Sequence, residues 1–221
     1  MTGSPTLASR ITVDAPEWIV VPGPDEVTES WRAEVLDLFA AVDAIDRSAE
    51  GEDRLFAGGP PVDPAAALEQ LLAFRAGLDP EDRLVASLLV PNRWPLPVVV
   101  SVGVTDPDAP DLLQLAGVGE GLPVDRPSVE ELPEDARGEG PVITRYDLDD
   151  EGVLWATVCA VRRERAADGT DVDTRVLWRT RDLDVVPVFG PEVVALVGRI
   201  ENTTESETEA ETARTESEVT A

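Results

Sequence analysis

The sequence predicts an α+β fold, a layered sandwich with a mostly antiparallel sheet and helices packed on its faces. Two observations carry this. Short Val- and Leu-rich runs bounded by proline, glycine and aspartate recur through the second half, the pattern of strands joined by turns. The first half instead holds two segments whose apolar residues recur at spacings of three and four, the helical period. Strands and helices therefore come in separate runs.

Residues 1–10 are expected to be a flexible N-terminus, and residues 11–200 a single domain. Ile11 to Val21, with Pro16 and Trp18 inside it, predicts an edge strand or bent hairpin, because sheets tolerate proline mainly at edges and bulges. Asp25 is placed to cap a helix over about 26–47, with Val27, Trp31, Val35, Leu38, Phe39, Val42 and Ile45 as its apolar stripe. Glu29, Glu34, Asp37 and Asp43 lie off that stripe and are expected in solvent. Asp63-Pro64 predicts a second helix by N-cap and first-turn proline, buried through Leu68, Leu71, Leu72 and Phe74 and ended by Gly77. Leu84 to Val90 and Pro97 to Val104 then predict two paired strands joined by a turn at residues 91–95.

From Thr105 to Gly140 prolines and glycines are so frequent that the segment predicts a long surface connection with one helical turn at 111–115. Pro141 to Tyr146 predicts a short strand. Val153 to Val161 and Thr174 to Thr180 predict an antiparallel hairpin about a turn at Asp168-Gly169, with Trp155 and Trp178 on its covered face. Gly190-Pro191 is expected to start a last helix, apolar at Val193, Val194, Leu196, Val197 and Ile200. Residues 201–221 hold seven glutamates against Arg214 and almost no apolar side chain, so they are expected to be a disordered acidic tail.

With 221 residues and 43% apolar content the chain can bury a real core. All eighteen basic residues are Arg, there is no His, and the net charge is -27. That charge repels phosphates and anionic lipid surfaces over ~8–10 Å at moderate salt, which argues against nucleic-acid and membrane partners. Two origins fit the composition, a salt-rich cytoplasm or a GC-rich genome that encodes Arg more readily than Lys. The first residues lack the basic-then-apolar layout of an export signal, and a single cysteine forms no internal disulfide, so the expected location is the cytoplasm.

The missing histidines remove a Ser-His-Asp triad and most nitrogen-ligated metal sites. Cys159 lies in an apolar strand and is expected to be a buried, unreactive thiol. The acid runs Asp149-Asp150-Glu151, Glu130-Glu131 and Asp106–Asp108 are expected as solvated surface, since none has the spacing of a calcium loop. Gly117-Val118-Gly119-Glu120-Gly121 resembles a phosphate loop but has no lysine and no following helix, so it is expected to be a flexible loop. No catalytic residue, metal ligand or cofactor-binding residue is assigned. The candidate partner contacts are Trp94, in a proline-rich turn, and the basic cluster Arg162, Arg163 and Arg165, although acids around that cluster favour mutual neutralisation.

The Ala-Pro-Glu-Trp at 15–18, the helix before Leu84 to Val90, the Val98 to Val104 run, and Val176-Leu177-Trp178-Arg179-Thr180 before the last helix together carry a resemblance. In order and texture the chain resembles small uncharacterised proteins of GC-rich bacteria with a Mog1/PsbP-like layout. That resemblance implies an antiparallel sheet with helices on its faces, an accessory or binding role, and no catalytic residues. The leading expectation is therefore a non-enzymatic accessory protein that contacts a protein partner. The alternative is a hydrolase or transferase using carboxylates and a divalent metal, which needs two acids in one apolar cleft.

Overall fold

Val98 and Val100 turn to one side of a seven-stranded sheet and Leu84 and Ala86 to the other, and each side is covered by helices. This computed structural model describes residues 6–13, 16–48, 62–105 and 111–205. In chain order its strands are β1 (Thr6–Ile11), β2 (Trp18–Val21), β3 (Arg83–Ser87), β4 (Leu96–Val104), β5 (Ser128–Glu131), β6 (Pro141–Leu148), β7 (Leu154–Arg165), β8 (Asp171–Thr180) and β9 (Ile200–Glu205). The helices are α1 (Glu29–Ser48), α2 (Pro64–Ala76), α3 (Leu112–Leu115) and α4 (Val186–Val197). The large sheet runs β2-β3-β4-β8-β7-β6-β5 and all its pairings are antiparallel, as an α+β fold requires.

Helix α4 packs its Phe189, Val193 and Val197 on the face built from Val98, Val100, Val158, Val176 and Trp178. Phe189 sits between Trp178, edge-on at 4.9 Å, and Trp18, tilted at 5.6 Å; such aromatic pairs add ~0.5–1.5 kcal/mol each beyond area burial. On the opposite face α1 and α2 cover β2 and β3 through Phe39, Leu68 and Leu71. The segment around α3 covers Ile143, Cys159 and Val161.

Helix α2 forms where expected: the Asp63 carboxylate accepts the Ala65 N–H at 2.9 Å, Pro64 follows, and Gly77 closes it. Helix α1 begins three residues later than expected. Asp25 lies in a short 3-10 turn at Pro24–Glu26, and Thr28 Oγ1 instead accepts the Trp31 N–H at 3.1 Å. The apolar stripe of α1 also stops early, with Ile45 65% exposed while Asp43 and Asp46 are buried. Those carboxylates are engaged, Asp43 with Arg47 and Asp46 with the 91–95 turn, which corrects the expectation that Asp43 lies in solvent.

Helix α4 starts at Val186, so Gly190-Pro191 falls inside it rather than at its start. Pro187 occupies the first turn, where a missing N–H costs nothing, whereas Pro191 leaves the Pro187 carbonyl without its i+4 donor. Trp155 and Trp178 do not share a face. In the β7–β8 register Val158 pairs with Trp178, and Trp155 has the opposite parity, stacking instead under Arg179 and Arg181 at 4.4 Å each.

The expected boundaries at 11 and 200 move outward. β1 and β9 pair from Thr6 with Glu205 to Ile11 with Ile200, so residues 6–10 and 201–205 are strand rather than flexible terminus or disordered tail. Backbone pairing between the two ends supplies what their sparse apolar content does not. The rest of the tail, residues 206–221, lies outside the described residues. β5 is a strand within what the sequence reads as one long connection.

Candidate functional site

Arg162 is not on the surface. It is 0% exposed, donates through Nη1 to the Val197 carbonyl at 2.9 Å, and through Nη2 to the Ile200 carbonyl and Glu164 Oε1 at 2.8 Å each. Burial lowers its pKa and the Glu164 carboxylate opposes that shift. Asn202 donates to both Glu164 and Thr174, completing a polar lock that holds β9 and the end of α4 against β7 and β8. As a partner contact Arg162 is thus corrected: a buried guanidinium needs acceptors, and here the Val197 carbonyl at the end of α4, the Ile200 carbonyl of β9 and Glu164 serve its two terminal nitrogens.

Arg163 makes a two-pronged pair with Asp173, both contacts 2.7 Å, and this hydrogen bonding raises its pKa. That is the cross-strand neutralisation anticipated for the cluster. Arg165, with its side chain 73% exposed and 3.8 Å from Asp171, is the cluster member that remains outward. Trp94 is corrected as well. Its indole is buried against Phe39 with ring centroids 5.2 Å apart, and its N–H is donated to Asp46 at 2.9 Å.

The glycine-rich stretch 117–121 is clamped rather than loose. The Arg145 guanidinium reaches the carbonyls of Gly117 and Glu120 and pairs with Asp147 at 2.9 Å. Gly121 has φ +71 and a Cβ there would lie 2.8 Å from Asp147 Oδ1, so only glycine lets the turn close on that pair. The loop presents carbonyls to a cation, the reverse of a phosphate cradle. Asp149 is also committed: its carboxylate accepts the Trp155 indole N–H and the N–H groups of Val153 and Glu151, and these bonds, led by Trp155, lower its pKa. Asp106 and Asp108 lie outside the described residues. Among the described residues no three His, Cys, Asp or Glu groups gather as a metal site would need, and no helix is long and apolar enough to cross a membrane.

Among the concave features of the described residues is a cleft of about 780 Å³ between α4 and the β5–β6 end of the sheet. Its floor is apolar, made by Val142 and Val158 from the sheet and by Pro191, Val194 and Ala195 from α4. Its far wall carries the exposed carboxylates Glu130 and Asp135, and Arg199 also lines it. Val142, Thr144, Tyr146 and Leu148 share one face of β6, so the cleft continues onto Tyr146 and Leu148, which α4 leaves exposed. An apolar trough with carboxylates along one wall suits a chain that offers apolar side chains beside cationic ones. The sequence points to Glu130-Glu131 only as surface acids. The walls of the cleft come from residues 130–144 and 186–199, and only folding brings them together.

No family model matches the chain, and neither does any curated protein. Among solved structures it is similar to LpqN of Mycobacterium tuberculosis, a protein described as involved in cell envelope biogenesis. The identity is 12%, the match covers 91% of this chain and 84% of that one, and the TM-score is 0.39.

Proposed function

We propose that this protein is a non-enzymatic cytoplasmic accessory factor that works by holding another protein, with the cleft beside α4 as the contact site. The observation that carries this reading is the pairing of an apolar floor with an acidic wall on an exposed part of the fold. The strongly negative body keeps phosphate-rich partners away and draws cationic ones, so the partner is a protein with a basic, apolar surface.

The test uses Ala195→Arg. Ala195 is exposed on the cleft side of α4, and arginine is a good helix former, so this change fills the cleft and adds a positive charge without entering the core. Crosslinked capture from native lysate at working ionic strength is expected to recover a defined partner with the wild type and lose it with the variant. Recovery of the same proteins by both would overturn the assignment of the cleft.

A further inference from the structure

β5 is the last strand of the large sheet, and its pairing determines which of its backbone groups face outward. Ser128 pairs with Thr144 and Glu130 with Val142, and the Leu132 N–H is donated to the Gly140 carbonyl at 3.0 Å. Hydrogen-bonded pairs alternate along an antiparallel ladder, so residues 128, 130 and 132 turn their N–H and C=O toward β6. Val129 and Glu131 turn theirs away from it. Pro141, which has no N–H, sits opposite Glu131 at a pair that exchanges no bonds. Just before β5, Val124 and Leu122 bond to Tyr146 and Leu148, so residues 122–124 continue the edge along β6.

This edge sets exposed apolar side chains beside Glu130 and Glu131, the kind of charge that blunts an edge strand against like-charged neighbours. Leu122, Val124 and Val129 are 65%, 58% and 53% exposed. A groove flanks β5 on each face of the sheet: the cleft beside α4, and a second of about 640 Å³ on the α3 side, walled by Leu113, Val129 and Pro141. An added strand alternates its side chains between those two grooves. The charge of the edge selects what can be added. Glu130 faces the α4 side, and Glu131, Glu134 and Glu139 stand around the second groove. These carboxylates repel a second copy of a chain with net charge -27 and attract a cationic one.

We infer that the outer edge of β5 accepts an extended segment of the partner protein as an added strand, with Lys or Arg turned toward Glu130 and aliphatic residues toward Val129. This rests on the protein-holding role proposed above and names the form in which the partner is held. The basic side chains lay their aliphatic stems over the apolar floor of the α4 cleft and bring their charges to its acidic wall. Main-chain bonds to Val129 and Glu131 supply affinity, and the alternation supplies specificity.

The probe is a blocked, fluorescently labelled peptide that alternates Lys and Val, compared with one alternating Glu and Val and with a Lys/Val peptide N-methylated at alternate positions. Binding to the full chain is read by anisotropy. Saturable binding is expected for Lys/Val alone. Val129→Pro removes an outward N–H without touching the β6 ladder, and it is expected to weaken binding by about tenfold or more, as the loss of a main-chain hydrogen bond does. N-methylation does the same with the protein unaltered, so it decides the matter if Val129→Pro fails to fold. No binding of Lys/Val, or equal binding of Glu/Val, overturns the inference. Binding unchanged by both Val129→Pro and N-methylation but lost in Ala195→Arg also overturns it, while leaving the cleft reading in place. A dimer of the protein that Val129→Pro dissolves would replace the partner segment by a second copy and likewise overturn it.

Discussion

The indole N–H of Trp94 is donated to Asp46 Oδ2 at 2.9 Å, joining the turn between β3 and β4 to the last turn of α1 across forty-eight residues of sequence. The same oxygen accepts the Asn92 N–H at 2.8 Å. One carboxylate thus fixes both the indole and the backbone of that turn. Asp46→Ala leaves two donors without this acceptor, and for buried donors that costs about 1–3 kcal/mol each. The expected outcome is a lowered thermal midpoint, with a larger loss for Asp46→Ala than for Asp46→Asn, whose amide oxygen still accepts one bond. Near-ultraviolet circular dichroism of the tryptophans checks that the loss is local to Trp94.

Arg162 predicts a different kind of loss. Arg162→Met keeps volume but leaves the Val197 carbonyl of α4 and the Ile200 carbonyl of β9 without this donor and Glu164 with Asn202 as its remaining partner, and an unsatisfied buried acceptor costs about 1–3 kcal/mol. Lysine at this position keeps the charge, but one nitrogen cannot reproduce a fork that serves both carbonyls and Glu164, so Arg162→Lys is expected to fall between Met and wild type. Because the lock holds β9, amide exchange in β1 and β9 should rise before exchange in β7 or β8. Uniform loss of protection across the sheet would contradict this order.

These two residues show where the sequence is legible. Helix α2 can be read because Asp63, Pro64 and Gly77 are local signals of start and stop. β5 cannot, because Ser128-Val129-Glu130-Glu131 has one apolar residue and shows neither a buried run nor the alternation of a half-buried strand. Arg162 defeats the parity argument for a physical reason: Ala160 on its own face and Val161 on the other are both fully buried, so alternation along β7 does not say which arginine turns inward. Trp94 in a proline-rich turn reads as exposed until Asp46 and Phe39 arrive from a distant helix. The cleft depends on the same kind of long-range placement.

Asp149 gives a pH prediction. Its pKa lies below the ordinary 3.8, through hydrogen bonds led by the Trp155 indole. A carboxylate with a depressed folded-state pKa adds stability above its unfolded value and loses it as pH falls through the folded one. Asp149→Asn should therefore be less stable than wild type from neutral pH down to near 3.8. Below that value the gap should close as the wild-type carboxyl protonates. Urea unfolding at a series of pH values measures the gap, and a gap that widens in acid would contradict the assignment.

Cys159 tests how firmly the α3 segment is packed on the sheet. The thiol is fully buried between β6 and β8, and burial raises its pKa, so in the native state it is both shielded and protonated. Its side chain stands on the sheet face that the α3 segment covers, so alkylation requires that segment to lift from β6 and β7. Native protein should then react with a maleimide or iodoacetamide probe more slowly than protein in urea, by a ratio that reads the free energy of this local opening. Labelling as fast as in urea would contradict the described cover of the thiol by Leu112, Leu115 and Ala116. Leu113 of the same segment walls the second groove beside β5, so slow labelling of Cys159 is also a condition for a stable groove on that side of the docking edge.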